Sequence, residues 1–173
     1  MMDKTINISE DSELQQLIKA LGSNNGLERE KARKTLVAKG KDSLDYLMEL
    51  LSHPRHICRW EAVKTMEEIG DPDSIPMFIQ ALEDDKSDVR WIAAEGLIRL
   101  GFQSIEPLLK ALIEKSDSVF ILEGAHHVFF DLEEKGELPD GFPVNNLLSS
   151  LKNPEWVESV KPLVYEILNS LKL

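Results

Sequence analysis

The sequence predicts an all-α array of stacked antiparallel helix pairs, and three observations predict it. Glycines recur at Gly40, Gly70 and Gly101, at intervals of 30 and 31 residues. A fixed register surrounds each of them. Arg29, Arg59 and Arg90 lie eleven positions before; Ala32, Ala62 and Ala93 lie eight before; Leu36, Met66 and Leu97 lie four before. Between these marks the apolar residues follow helical spacing and not strand alternation. A period near 30 residues means that one supersecondary unit is repeated, each unit covering the apolar face of the next.

Each unit reads as two helices. In the third, Val89, Ile92, Ala93, Leu97 and Leu100 form the apolar face of a helix over 87–100, with Asp88 near its N-terminus, where backbone N–H groups are free. Gly101 ends it, because glycine accepts the left-handed backbone of a helix C-terminus. A second helix over 104–114 buries Ile105, Leu108, Leu109, Leu112 and Ile113. The second unit follows the same plan, with Pro72 in its turn and Pro76 in a first helical turn. Repeats are expected near 27–52, 55–83, 86–114 and 117–152, with capping helices over 11–21 and 154–172 and a flexible N-terminus over 1–10. Atypical ends suit an array whose terminal units must face water.

The chain has 173 residues, and 31 acidic against 20 basic side chains give a net charge of -11. Phosphate backbones and anionic lipid repel such a protein, so neither nucleic acid nor membrane is an expected partner. The charge is uneven: residues 26–41 sum to +4, and residues 83–140 carry 14 acids and 6 bases. This polarity suits steering of a charged partner or head-to-tail self-association. The single cysteine, Cys58, excludes an intrachain disulfide and is expected in the core. No apolar run approaches the roughly 18–20 residues of a membrane span, and no signal-peptide pattern opens the chain, so the cytosol is the expected location.

Few residues suggest chemistry. Glu123, His126 and His127, with Asp131 one turn on, place a carboxylate and an imidazole on one helix face and are weak candidates for a metal. His53, His56 and Cys58 are a weaker set, whose spacing fits no usual zinc module. The phosphate-cradling glycine loop, GxSxG and HExxH are missing. No cofactor is expected. Trp60 and Trp91 hold equivalent positions and either pack between repeats or form a surface ridge; on the second reading Arg59-Trp60-Glu61 and Arg90-Trp91, with Glu95, His126 and His127, are the candidate partner-binding residues. Phe129 and Phe130 are expected in the core, and the loop over 138–144, carrying Phe142, is either a binding loop or a connector.

The stretches "DVRWIAAEGLIRLG" (88–101), "CRWEAVKTMEEIGDPDSIPMFIQAL" (58–82) and "EREKARKTLVAKG" (28–40) resemble HEAT repeats of the short kind named after phycobilin lyases. The resemblance covers residues 12–132 and implies a right-handed α-solenoid whose second helices line the concave side. It further implies that the repeated arginines act as ladder residues. Arg59 and Arg90 would pair with aspartates such as Asp42, Asp71 or Asp73 near the inter-helix turns. The implied function is a non-catalytic scaffold that docks a protein partner; the alternatives are a tetrapyrrole lyase or chaperone-lyase, or a metal-dependent enzyme using Glu123, His126 and His127.

Overall fold

The computed structural model describes residues 8–152 and 157–171; of the expected N-terminal segment, positions 1–7 lie outside the described residues. The helices are α1 (Ile8–Leu21), α2 (Gly26–Lys39), α3 (Leu44–Leu50), α4 (His56–Ile69), α5 (Ile75–Ala81), α6 (Ser87–Leu100), α7 (Phe102–Glu114), α8 (Val119–Glu134), α9 (Val144–Lys152) and α10 (Val157–Leu171). Among the described residues there is no strand. The chain is an all-α solenoid.

Local chemistry sets the boundaries. The Asn25 side chain accepts from the Leu27 N–H and caps α2, and Ser118 does the same for α8 through the Ile121 N–H. Gly40, Gly70 and Gly101 end the first helices of three units with φ of 61°, 66° and 57°. Gly70 is left-handed helical, whereas Gly40 and Gly101 have ψ of -133° and -130°, a region open to glycine and little else. Short 3₁₀ turns, Gly40–Ser43 and Pro72–Ser74, lead into α3 and α5.

The first helices stack as α2, α4, α6 and α8, while α5, α7 and α10 lie side by side in a second layer. Helix α1 covers α2 and α3, and α9 packs between α8 and α10. The repeated positions fill the space between the layers: Ala32, Ala62 and Ala93, then Leu36, Met66 and Leu97, then Leu47, Phe78 and Leu108 are all buried. Gly96 lets α6 settle on Phe78; a Cβ there would lie 2.5 Å from the ring. Buried serines Ser43, Ser74 and Ser104 mark the entry to each second helix, a regularity the sequence reading missed. Ser43 Oγ donates to the Leu36 carbonyl and Ser104 Oγ to that of Gly101.

Candidate functional site

The feature that stands out on this scaffold is the joint between α6 and α8. Ser87, Arg90, Trp91 and Ala94 form an i, i+3, i+4, i+7 stripe on α6, and Phe120, Glu123, Gly124 and His127 form the matching stripe on α8. Between them runs an open cleft of about 260 Å³. Ala94 and Gly124 are its small residues; a Cβ on Gly124 would meet a Leu82 methyl at 2.7 Å, so a larger residue there would make the Leu82 side chain shift. Trp91 is 58% exposed. Its ring lies 4.5 Å, centroid to centroid, from that of His127 at a 30° tilt, and His127 Nε2 sits 3.1 Å from Glu95 Oε1. The Arg90 guanidinium lies 4.0 Å over the Phe120 ring and donates to the Asp84 carbonyl at 2.8 Å. The cleft belongs to the first-helix layer, not to the second-helix layer that the resemblance makes concave.

The strip expected around Arg59, Trp60 and Glu61 is not a surface. The Glu61 side chain is 3% exposed, and its two oxygens accept from Arg29 Nε at 2.9 Å and Arg33 Nη1 at 2.6 Å. The Arg59 side chain is 11% exposed and donates to both Asp84 oxygens, at 2.6 and 2.9 Å, and to Asp85. The Asp84 carboxylate raises the guanidinium pKa further above its ordinary value. Trp60 is half-buried against the core. Equivalent positions thus hold a packing tryptophan in one unit and an exposed one in the next.

The ladder arginines share a role that differs from the expected one. Each donates to the carbonyl six residues earlier: Arg29 to Ser23, Arg59 to His53, Arg90 to Asp84. They clamp the turn before their own helix. Pairing with Asp42, Asp71 or Asp73 does not occur. Those residues lie at the glycine end of a fourteen-residue helix, roughly 20 Å from its start. Asp71 instead caps the Pro72–Ser74 turn, and Asp73 pairs with Lys41.

The suggested metal ligands diverge. His127 turns to Trp91 and Glu95, while His126 stacks on Phe130 at 6.3 Å. His126 Nε2 is buried without a hydrogen-bond partner among the described residues. Burial, then the positive charge of Lys152, then His127, holds its pKa below the ordinary imidazole value. Asp131 pairs with Lys135 at 2.5 Å. In the second set, His56 Nε2 lies 2.9 Å from Asp88, His53 Nδ1 accepts from the Arg55 N–H, and Cys58 is buried, its thiol pKa raised by that burial. Among the described residues, no three His, Cys, Asp or Glu side chains come together as a metal site.

Two aromatic expectations also change. Phe129 is buried, but Phe130 is 49% exposed. Phe142 stacks on Phe129 at 5.7 Å and ties the 138–144 loop to the core.

Residues 14–97 match the family model for HEAT repeats, and residues 89–114 match that for the PBS lyase HEAT-like repeat. A comparison with curated proteins found no match.

Proposed function

The chain is a HEAT-like repeat protein, and from that premise we propose that it serves as a non-catalytic scaffold that docks a partner protein through the α6–α8 joint. Stacked helix pairs form a stiff, extended wall without further devices. The observation that carries the proposal is Trp91, a large aromatic ring left 58% exposed beside an open cleft in a fold that packs its equivalent, Trp60. Tryptophan and arginine dominate binding energy at protein interfaces, and Arg90 stands beside it.

Affinity capture of the tagged chain from its own cells, with mass spectrometry of co-purifying proteins, tests this reading. One near-stoichiometric partner, lost with Trp91→Ala while the thermal melt is unchanged, is the expected result. The same proteins on both baits, or none on either, would remove its basis.

A tetrapyrrole-handling role is the second reading, prompted by the PBS lyase HEAT-like match over 89–114. The α6–α8 cleft, at about 260 Å³, falls below the roughly 300–1,000 Å³ of ordinary small-molecule pockets, which argues against a tetrapyrrole at this joint. A visible absorption shift when a bilin is added would favour this second reading instead.

A further inference from the structure

We propose that the α6–α8 cleft takes a basic segment of a partner polypeptide, seating one lysine or arginine side chain between the Trp91 ring and the Glu123 carboxylate. This deepens the scaffold reading and rests on it.

The three joints between first helices are built alike but closed differently. At α2–α4, Arg29 and Arg33 grip Glu61. At α4–α6, Arg59 grips Asp84 and Asp85, and His56 meets Asp88. At α6–α8 the same arginine position, Arg90, meets the Phe120 ring instead of an acid. Phe120 itself stands 30 residues after Arg90, where the fourth unit would carry its own arginine. The third joint therefore lacks the arginine–carboxylate grip that seals the other two, its one cross-joint contact of this kind being His127 with Glu95, and an aromatic-walled cleft remains.

Of the two charged side chains that line the cleft, Arg90 and Glu123, the carboxylate is the one left to take a partner. Arg90 is engaged by the Asp84 carbonyl and the Phe120 face, and Glu95 by His127. Glu123 lines the cleft, and no ion pair joins it to any described residue. An exposed indole face attracts an ammonium or guanidinium group, more strongly than other rings do. The surroundings agree in sign, since residues 83–140 carry 14 acids against 6 bases. Acidic segments, nucleic acid and anionic lipid are repelled by the same field. At about 260 Å³ the cleft has room for one long side chain, while the rest of the segment lies along the groove.

Fluorescence anisotropy with a labelled hexa-arginine peptide at about physiological salt tests the proposal, because surface attraction is screened there. Saturable binding is expected. Trp91→Ala, which leaves the net charge alone, should weaken it roughly fivefold or more. Glu123→Gln should weaken it about two- to threefold, and Glu49→Gln, the same loss of charge on α3, should change nothing. Equal affinity of Trp91→Ala and wild type, no saturable binding, or tighter binding of hexa-glutamate would each overturn it. A Trp91-dependent partner captured from cells, together with no binding of the basic peptide, would leave the scaffold standing and sink this inference alone.

Discussion

Glu61 Oε1 accepts a hydrogen bond from Arg29 Nε at 2.9 Å across an interval of 32 residues. The interval recurs in Lys41 with Asp73, His56 with Asp88, Glu67 with Arg99, Glu83 with Lys115 and Glu95 with His127. A repeat of 30 or 31 residues brings equivalent positions side by side. One or two residues more reaches diagonally to the neighbouring unit. In the first three pairs the base comes first; in the last three, the acid does. The basic stretch near the N-terminus is thus partly spent within the fold, on Glu61, Glu68 and Asp73.

Burial separates the pairs that matter. Glu61→Ala leaves two half-buried guanidinium groups facing each other and should destabilise the protein by roughly 3 kcal/mol. Lys41→Ala breaks a pair whose side chains are 65% and 58% exposed, and should leave the unfolding midpoint unchanged. Urea unfolding of both variants checks the contrast.

Gly96→Ala should lower stability by about 1–3 kcal/mol, although alanine is the better helix former. The new methyl would lie 2.5 Å from Phe78 ring atoms. Adding Phe78→Leu should recover part of the loss. Thermal melts of the two single variants and the double variant measure the coupling.

The helix-ending glycines should not respond alike. Gly70→Asn places asparagine in a left-handed helical conformation that it tolerates, so the cost should stay below about 1 kcal/mol. Gly101→Asn requires φ near 57° with ψ near -130°, which should cost about 1–3 kcal/mol. Denaturant midpoints for the pair decide it.

His126 gives stability a pH dependence of known sign. Its folded pKa lies below the ordinary value of about 6.5. Below that pH the unfolded chain binds a proton that the folded chain resists, so stability falls as pH drops through 6.5 and levels off beneath the folded pKa. His126→Gln should flatten this part of the profile, as urea midpoints between pH 7.5 and 5 would show. An NMR titration should place the His126 midpoint below that of a free imidazole.

Much of the scaffold was legible in advance. The glycine, alanine and large-apolar positions repeat because each answers a demand of one helix and its partner, and such demands follow from spacing alone. The polar partners were less legible. Arg59 chooses Asp84 because that aspartate sits in the turn before the next helix, at the same end of the stack; no local pattern reveals which end a guanidinium will meet. The split between Trp60 and Trp91 was hidden for a related reason. Register places both on the same helix face, but the neighbouring unit decides whether that face is covered, and the fourth unit departs from the repeat. The docking of α10 beside α7 was hidden likewise, a placement set by contacts far apart in the chain.

The 32-residue interval also bears on how the molecule is made. A ribosome releases Glu61 32 residues after Arg29, and His127 32 after Glu95. At roughly 5–20 residues per second, each joint receives its second half about two to six seconds after its first. No cross-bridge of this interval waits for the far end of the chain, so the array can close one unit behind the other in the order of synthesis. Along the first-helix stack an apolar face is then left uncovered only for the time one repeat takes to emerge, whereas α7 waits for α10.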